Sequence, residues 1–333
     1  MKTSNGIKIA INGLGRIGRI FLKQSFGVSG WEIVAVNDLA DRENLVYLLE
    51  HDSVYGRFSA PKDKLDKIKF LQEKDPSKLP WKDLDIDIVV ESTGIFSSYE
   101  KAKAHLDAGA KRVVITAPVP KDDGDTVTFN PNVGEGVIAK SKITSNASCT
   151  TGAVTPVAMI LSQALGIKKA ILNTVHGYTA TQNLVDGPNK KDYRRGRAAA
   201  TNIVPSSTGA ADATSKAIPE MEGKFDGIAM RVPVISGSII DFTFVSEKPT
   251  SVEEVNNIFR EACKKLEWEG IIKVTEEPLT STDILKEPFG SIVDLSMTRV
   301  VDGDLVKILS WYDNEWGYCA MLVKHIQSLK NYL

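Results

Sequence analysis

The sequence has few cysteines, no excess of charge of either sign and no long apolar run. Its 333 residues include only Cys149, Cys263 and Cys319, an odd number too small for a disulfide framework. We therefore expect a reducing, cytoplasmic setting. Lys and Arg number 41 against 42 Asp and Glu, a formal net charge of −1, which gives no indication of nucleic-acid or membrane binding. No stretch is long and apolar enough to span a bilayer.

The distribution of elements along the chain predicts two domains. A length of 333 residues exceeds that of one ordinary domain, and 42% hydrophobic and 25% charged residues are typical of a globular protein. Strands and helices alternate in the first half, which predicts an α/β domain with a parallel sheet over residues 1–148. Strands follow one another in the second half, which predicts an α+β domain with a mostly antiparallel sheet over 149–314.

A glycine-rich turn near the start predicts a dinucleotide site. The strand Ile7–Ile11 is followed by Gly13, Gly15 and Gly18 in the spacing G-x-G-x-x-G, and then by a helix-like run. A second strand ends at Asp38, about 20 residues past the last glycine. The turn brings backbone N–H groups to a pyrophosphate, and an acid at this place accepts hydrogen bonds from ribose and repels a 2′-phosphate. We therefore predict NAD rather than NADP.

The remainder of the first half continues the α/β pattern. The apolar strand Ile86–Glu91 ends in Ser92-Thr93-Gly94, at the strand end where doubly wound sheets bind ligands. Little structure is predicted for the charged segment from Arg57 to Leu79, and solvated helix positions are predicted for His51 and His105.

Cys149 lies where a strand turns into a helix. Ser148 falls at the N-cap position and an apolar run follows, so Cys149 opens the helix, where the dipole lowers a thiol pKa. Taken alone, this stretch favours a small buried cysteine in a turn. His176, at the end of the strand Ile171–Val175, is the candidate partner for a nucleophilic pair. A cysteine and histidine also serve hydrolases and transferases, but a thiol beside NAD indicates aldehyde oxidation through a thioester.

The second half contains strand-like runs and two helices. The helix Ser251–Leu266 has a capping box, and its predicted apolar face includes Val252, Cys263 and Leu266. A last helix, about Gly317–Asn331, places Cys319 on its packing face and His325 on its solvent face. The predicted strands are Gly227–Val234, Ser238–Val245, Ser291–Leu295 and Leu305–Ser310.

Cationic and hydroxyl side chains after His176 suit phosphate. The polar segment 177–201 is too long for an ordinary loop, which favours a functional or interface role. A solvated face or a subunit contact remains the alternative for each arginine in it. No His, Cys and carboxylate residues have metal-ligand spacing, so we predict no metal. The candidate phosphate-binding residues are Thr179, Thr181, Arg194, Arg195, Arg197, Ser206, Ser207, Thr208, Gly209 and Arg231.

These motifs together resemble the phosphorylating glyceraldehyde-3-phosphate dehydrogenase family. The matching segments run in family order over nearly the whole chain: INGLGRIGR with Val36–Asp38, ESTG at 91–94, SNASCTT at 145–151, RRGRAAA, STGAA and RVP through Arg231, and SWYDNEWGY at 310–318. The resemblance implies a tetramer and oxidation of glyceraldehyde 3-phosphate with NAD and inorganic phosphate, with Cys149 as nucleophile and His176 as base. It also implies that a final helix, within 315–333, packs back on the first domain.

The resemblance also implies binding residues. The implied cofactor contacts are Gly13, Gly15, Arg16, Ile17, Asp38, Thr93, Gly94, Thr116, Asn314 and Tyr318. The implied substrate-phosphate residues are Thr179 and Arg231. The implied inorganic-phosphate residues are Ser148, Thr150, Thr208 and Gly209, with Arg195 nearby.

Some residues depart from the family pattern, and two alternatives stay open. Gly152 and Ala153 stand where relatives usually have Asn and Cys.

A relative acting on erythrose 4-phosphate is one alternative function, although Thr179 argues against it. An NAD-binding member used mainly for protein or RNA interaction is the other, although the presence of Cys149, His176, Arg231 and Asn314 argues against a loss of catalysis.

Overall fold

A computed structural model describes residues 6–119, 126–128, 138–139, 141–190 and 192–333. The chain divides into two compact units. One unit comprises Met1–Ala147 with Cys319–Leu333, and the other comprises Ser148–Tyr318.

The first unit is built on a seven-stranded sheet in which every neighbouring pair is parallel. Its strands are β1 (Ile7–Asn12), β2 (Trp31–Asn37), β3 (His51–Asp52), β4 (Gly56–Arg57), β5 (Lys69–Leu71), β6 (Ile88–Glu91), β7 (Arg112–Ile115), β8 (Thr126–Thr128) and β9 (Ile143–Ser145). The sheet order is β5-β2-β1-β6-β7-β9-β8, and β3 and β4 form a separate hairpin. Its helices are α1 (Arg16–Ser25), α2 (Arg42–Glu50), α3 (Lys62–Leu65) and α4 (Tyr99–Asp107).

The central strands of this sheet are buried along their length. All four residues of β6 and of β7 are buried, as expected of strands covered on both faces. The order reverses direction between β1 and β6, which places the carboxyl ends of both strands at one switch point of the sheet. The predicted doubly wound α/β fold is confirmed.

Strand β5 corrects the prediction of little structure between Arg57 and Leu79. It pairs in parallel with β2 at the sheet edge, with Val36 opposite Phe70. The strand has only three residues, and none of them is fully buried. Such a short and partly exposed segment carries no usable alternation of apolar side chains.

The predicted solvent exposure is wrong for two of the three histidines of this unit. His105 is fully buried, and its Nε2 lies 3.0 Å from Oε2 of Glu91. His325 is also fully buried, with Nδ1 3.1 Å from Oδ1 of Asn146. His51 is partly exposed as predicted, but it lies in the short strand β3 rather than in a helix, and its ring stacks on Tyr47.

The second unit is built on an eight-stranded mixed sheet. Its strands are β10 (Ile167–Gly177), β11 (Val204–Ser207), β12 (Phe225–Val232), β13 (Ser238–Ser246), β14 (Ile272–Thr275), β15 (Ser291–Asp294), β16 (Arg299–Val301) and β17 (Leu305–Tyr312). The order is β11-β12-β10-β13-β17-β15-β14, with β16 paired to β17. The pairs β10/β12 and β14/β15 are parallel and the other pairs are antiparallel, which confirms the predicted mostly antiparallel sheet.

The helices that follow Ala147 are α5 (Cys149–Leu165), α6 (Ala210–Ala217), α7 (Val252–Ala262) and α8 (Trp316–Leu329). Helix α7 begins as predicted, because the Ser251 hydroxyl accepts a hydrogen bond from the Glu254 N–H. It ends four residues before Leu266, which is 83% exposed in a following 3₁₀ turn, and Val252 is also exposed. Cys263 caps the helix and is half-buried rather than in the core.

Two further observations on the described residues concern membrane-spanning helices and metal-binding clusters. Within the part of the chain that the structure describes, no helix has both the length and the apolar character needed to cross a membrane. Among the same residues, no group of three His, Cys, Asp or Glu side chains is arranged to hold a metal ion.

Candidate active site

The glycine-rich turn between β1 and α1 needs glycine for two different physical reasons. Gly13 has φ +92°, and a Cβ there would lie 2.7 Å from the backbone nitrogen of Thr93. A Cβ on Gly18 would lie 2.1 Å from the carbonyl oxygen of Gly13, so helix and turn could not approach as they do. A Cβ on Gly15 would meet nothing within 4 Å. The start of α1 is therefore open to a ligand.

A cavity of about 380 Å³ adjoins this turn. Asp38 lies in its wall, with Oδ2 accepting from the Leu14 N–H at 2.7 Å and Oδ1 accepting from the Ala40 N–H at 3.0 Å. Gly13, Gly15 and Thr93 also line it, so the structure brings four predicted cofactor residues together. Gly94 follows Thr93 with φ +73°. Thr116 lies at the end of β7, where its N–H donates to the Glu91 carbonyl at 2.9 Å.

The side chain of Arg16 does not serve this cavity as a free cation. Its Nη1 lies 2.9 Å from Oδ1 of Asp52, and Lys23 Nζ lies 2.9 Å from Oδ2 of the same carboxylate. Burial raises the pKa of Asp52, but the hydrogen bonds from Arg16 and Lys23 outweigh it and hold that pKa well below its ordinary value. The predicted cofactor contacts of Arg16 and Ile17 can therefore come from their backbone N–H groups at the helix start.

Cys149 is the first residue of α5, as the sequence predicts. Ser148 has extended backbone angles, and its hydroxyl accepts a hydrogen bond from the Thr151 N–H at 3.1 Å. The thiol of Cys149 thus lies at the amino end of a 17-residue helix, where backbone N–H groups lack helical acceptors.

His176 lies against this thiol. Its Nε2 is 3.3 Å from Sγ of Cys149, although the two residues belong to different elements. Nδ1 has one acceptor and one donor beside it: the Gly177 carbonyl oxygen at 2.6 Å and Nη1 of Arg231 at 2.7 Å. A proton on Nδ1 can be donated to the carbonyl, and a bare Nδ1 can accept from the guanidinium. The ring therefore has a partner at Nδ1 in either tautomer, which suits a group that takes up and releases a proton at Nε2.

Burial is the largest influence on the pKa of both members of this pair. It raises the pKa of the Cys149 thiol, and the opposing effects of Arg231 and Thr150 do not cancel it. Burial and the charge of Arg231 lower the pKa of His176 to about 3. The lowered thiol pKa expected from the helix start alone is therefore wrong, because burial acts in the opposite direction and outweighs the groups that favour the thiolate.

Strand register explains why distant residues meet here. His176 on β10 is directly opposite Arg231 on β12, which is in turn opposite Val204 on β11. On the other side, the ring of Tyr312 on β17 packs edge-on against His176, with centroids 5.9 Å apart. Residues far apart in the chain thus form one row across the sheet.

The predicted anion-binding residues fall into smaller groups. The hydroxyls of Thr179 and Thr181 are 2.9 Å apart, and Arg195 Nη1 lies 3.4 Å from the Thr181 hydroxyl. Burial lowers the pKa of Arg231, and repulsion from Arg195 acts in the same direction, so both guanidinium groups lie in one region.

A second group lies at the start of α6. Gly209 is the N-cap of this helix, and the hydroxyl of the preceding Thr208 accepts from the Ala210 N–H at 3.2 Å. Arg197 instead pairs with Asp186 at 2.9 Å.

Asn314 is held by its carbonyl oxygen. Oδ1 accepts from the Gly237 N–H at 3.1 Å and from the Ser238 hydroxyl at 2.8 Å. The neighbouring Asp313 accepts from the N–H groups of Glu315 and Trp316, which begins α8. The Tyr318 N–H donates to the Asp313 carbonyl at 3.3 Å.

Sequence reasoning missed two buried hydroxyl contacts of Tyr312, one with Thr150 and one with Thr174. Tyr312 is part of the recognised SWYDNEWGY segment, but nothing local indicates that its hydroxyl reaches Thr150 at 3.0 Å. Thr174 looks like an ordinary strand threonine.

Comparison with known proteins agrees with this arrangement. The family model of the glyceraldehyde 3-phosphate dehydrogenase NAD binding domain matches residues 7–99, and that of the C-terminal domain matches 148–314. The chain is similar to glyceraldehyde-3-phosphate dehydrogenase of Clostridium pasteurianum, with 44% identity over 96% of this chain and 97% of that protein.

Two further relatives are about equally similar. Glyceraldehyde-3-phosphate dehydrogenase of Mycobacterium avium is 45% identical over 95% of this chain and 96% of its own length. Glyceraldehyde-3-phosphate dehydrogenase B of Aspergillus oryzae (strain ATCC 42149 / RIB 40) is 44% identical over 93% of this chain and 94% of its own length. The chain therefore belongs to the glyceraldehyde-3-phosphate dehydrogenase family.

Proposed function

We propose that this protein catalyses the NAD-dependent oxidative phosphorylation of glyceraldehyde 3-phosphate to 1,3-bisphosphoglycerate. The observation that carries the proposal is the 3.3 Å contact between Cys149 Sγ and His176 Nε2 at the start of a helix, in a chain with the family's NAD-binding domain. A thiol paired with a base can form a thioester, and NAD supplies the hydride acceptor that aldehyde oxidation needs.

The first unit provides the cofactor site, and residues 149–314 provide the catalytic site. The pyrophosphate binds at the start of α1, through Gly13, Gly15 and the backbone N–H groups of Arg16 and Ile17. Asp38 binds ribose hydroxyls with the lone pairs that its two backbone donors leave free. Asn314 presents its amide N–H to the nicotinamide carboxamide, because its oxygen is already engaged. The remaining proposed cofactor contacts are Thr93, Gly94, Thr116 and Tyr318.

His176 moves the protons of the reaction at Nε2. It takes the thiol proton as Cys149 Sγ bonds to the aldehyde carbon, and it passes this proton to the carbonyl oxygen, which becomes a hydroxyl. His176 then receives the hydroxyl proton as the carbon releases hydride, leaving a thioester on Cys149. An oxygen of inorganic phosphate attacks the thioester carbon, the C–S bond breaks, and acyl phosphate and thiolate are released.

Two phosphate groups need two anion sites. Thr179 and Arg231 bind the phosphate of the substrate, close to the reacting thiol. Ser148, Thr150, Thr208 and Gly209 bind the attacking inorganic phosphate, with Arg195 adding positive charge. The proximity of Arg195 and Arg231 supports a region built for anions, because two guanidinium groups repel each other without one.

We further propose a cytoplasmic homotetramer. Leu184, Val185 and Tyr193, on the segment 178–201, are each more than 70% exposed, which favours burial against another subunit. Light scattering on the purified protein measures the mass directly, and a monomer would contradict this assembly. The few free cysteines support a reducing compartment.

The activity is tested by measuring NADH formation from glyceraldehyde 3-phosphate, with and without inorganic phosphate. Turnover that depends on phosphate supports acyl-phosphate formation. Turnover independent of phosphate would mean that the thioester is hydrolysed and would overturn the inorganic-phosphate assignments. A higher kcat/KM with erythrose 4-phosphate would replace the proposed substrate.

Two cysteine variants separate binding from chemistry. Cys149→Ser is expected to lose aldehyde oxidation by at least about 10³-fold and to keep NAD affinity, because a serine hydroxyl is a far weaker nucleophile than a thiol. Cys263→Ser is the matched control and should keep full activity, since Cys263 caps α7. Unchanged rates in Cys149→Ser would rule out the thioester.

A further inference from the structure

One buried serine hydroxyl lies between the segment that follows His176 and the amide of Asn314. The Ser238 hydroxyl is 2.8 Å from Oδ1 of Asn314, and it accepts a hydrogen bond from the Gly177 N–H at 3.2 Å. Ser238 is 1% exposed and Asn314 is 6% exposed, so water competes little for these bonds. All of these residues belong to the second unit.

The orientation of the Asn314 amide follows from a backbone group. The Gly237 N–H lies 3.1 Å from Oδ1, and a backbone N–H only donates, so the atom facing it must be the amide oxygen rather than the nitrogen. Gly237 has φ +87°, and a Cβ there would lie 2.2 Å from the carbonyl oxygen of Ser281. Glycine is therefore needed to direct this N–H at Asn314.

The proton positions around Ser238 are determined by its neighbours. An amide oxygen only accepts, so Ser238 donates its single hydrogen to Asn314, and the Gly177 N–H bonds to a lone pair of the same hydroxyl. The Ser236 hydroxyl lies 3.5 Å from Oδ1 of Asn314 but 3.2 Å from Oδ1 of Asp313, and the carboxylate is the stronger acceptor for its hydrogen. The two lone pairs of the Asn314 oxygen are thus taken by one backbone donor and one side-chain donor.

An oxygen with both lone pairs in use leaves the Nδ2–H groups of Asn314 to bind a ligand. These groups need a hydrogen-bond acceptor, which the carbonyl oxygen of the nicotinamide carboxamide provides. An amide turned by 180° would bring Nδ2 against two donors and lose both bonds. The two bonds therefore hold the amide in its binding orientation before NAD arrives, which lowers the entropic cost of binding.

We propose that Ser238 is a positioning residue, which fixes the Asn314 amide so that its N–H binds the carbonyl oxygen of the nicotinamide carboxamide. Through the Gly177 N–H, the same hydroxyl is joined to the end of the strand that carries His176. Nδ1 of His176 lies 2.6 Å from the Gly177 carbonyl oxygen. One side chain thus contacts both the amide that orients the hydride acceptor and the segment that holds the base. The inference deepens the proposed function, since it rests on Asn314 binding nicotinamide.

The test is calorimetric binding of NAD and of ADP-ribose to the full-length protein without substrate. ADP-ribose lacks the nicotinamide, so its affinity does not depend on the Asn314 amide. In Ser238→Ala, the oxygen of Asn314 keeps its backbone donor but loses the hydroxyl, and NAD binding must then order the amide. We expect NAD to bind about fivefold more weakly, while the affinity for ADP-ribose stays at its parental value.

Matched variants separate this effect from a loss of packing. Ser238→Thr keeps the hydroxyl and should keep the parental ratio of the two dissociation constants. Ser291→Ala removes another buried hydroxyl of the same sheet, 2.7 Å from the Ser310 hydroxyl, and should lower the melting temperature without changing the ratio. In an Asn314→Ala background, adding Ser238→Ala should leave the ratio unchanged, because no amide remains to be oriented.

Failure of this proposal differs from failure of the proposed function. An unchanged ratio in folded Ser238→Ala, together with a changed ratio in Asn314→Ala, would overturn the role of Ser238 alone. If Ser238→Ala does not fold, Ser238→Cys replaces the hydroxyl by a weak donor, and the same direction of change is expected. An unchanged ratio in Asn314→Ala would overturn its nicotinamide contact and this inference with it. A parent protein without phosphate-dependent NADH formation would overturn the function, while the ratios would still report on NAD binding.

Discussion

The indole N–H of Trp81 donates a hydrogen bond to Nδ1 of His105 over 3.0 Å, which fixes the tautomer of a fully buried imidazole. The proton must then be on Nε2, which lies 3.0 Å from Oε2 of Glu91. The other carboxylate oxygen of Glu91 accepts from the Thr93 N–H at 2.8 Å and from the Thr93 hydroxyl. Through Glu91, the Trp81–His105 pair holds Thr93, which lines the cavity beside the glycine-rich turn.

Replacing His105 is therefore expected to affect both stability and cofactor binding. His105→Leu removes a donor to the buried Glu91 carboxylate and should destabilise the protein by about 2–3 kcal/mol while weakening NAD binding. Thermal unfolding with and without NAD measures both effects. His51→Leu is the control, because His51 is partly exposed, and it should leave NAD affinity unchanged. An unaltered melting temperature in His105→Leu would contradict the importance of this network.

The Asp52 carboxylate makes stability depend on pH in a defined direction. Its pKa is lower in the folded protein than in the unfolded chain, so its stabilising effect is complete above about pH 4 and is lost as the pH falls towards the folded value. Asp52→Asn leaves Lys23, whose side chain is 2% exposed, without its anionic partner. We expect a loss of about 3–5 kcal/mol at pH 7.

The difference between parent and Asp52→Asn should shrink as the pH is lowered below about 4, because the Asp52 carboxylate of the unfolded parent chain then takes up a proton while that of the folded protein stays ionised. Thermal unfolding across a pH series measures this. Asp85→Asn is the control: its ion pair with Lys8 is exposed, so its melting temperature should match that of the parent. A constant difference at all pH values would show that the lost charge is not the cause.

Asp38 should control the choice between NAD and NADP. Asp38→Ser removes a negative charge from the wall of the cavity and should reduce the preference for NAD at least about tenfold in kcat/KM. The comparison is made with both cofactors under the same conditions. Asp83→Ser removes an equal charge from an exposed position outside this wall and should keep the parental ratio. An equal ratio in both variants would exclude Asp38 from this role.

Two glycine-to-alanine changes should have opposite signs. Gly18→Ala places a Cβ 2.1 Å from the Gly13 carbonyl, so the turn must move, and both the melting temperature and NAD affinity should fall. Gly152→Ala adds a Cβ that meets nothing within 4 Å inside α5, and it should stabilise the protein by about 0.5–1 kcal/mol. Stabilisation by Gly18→Ala would contradict the close packing of helix and turn.

Local patterns were predictable from the sequence, and contacts set by long-range register were not. The glycine spacing with Asp38, the continuous apolar β6 and the Ser148 cap each depend on a few neighbouring residues. The pairing of His176 with Arg231 depends on the parallel register of β10 and β12, which no local pattern specifies. The edge strand β5 forms because β2 offers an unpaired edge, a tertiary effect that outweighs its weak pattern.

Charge states were harder to predict than positions. The helix start correctly located Cys149, but the direction of its pKa depends on burial, which only the folded arrangement shows. His105 was misjudged for the same reason: one buried carboxylate and one indole N–H make a polar side chain suitable for the interior.

The first unit is discontinuous in the chain, and this affects how the protein can be made. Residues Cys319–Leu333 belong to the same compact unit as Met1–Ala147. Asn146 contacts His325, and Arg112 donates to the backbone carbonyl of Tyr332. The second unit is translated between these two pieces, so the first cannot complete its core until residues Cys319–Leu333 have left the ribosome. A nascent chain truncated before α8 therefore exposes apolar surface of the first unit to chaperones during synthesis.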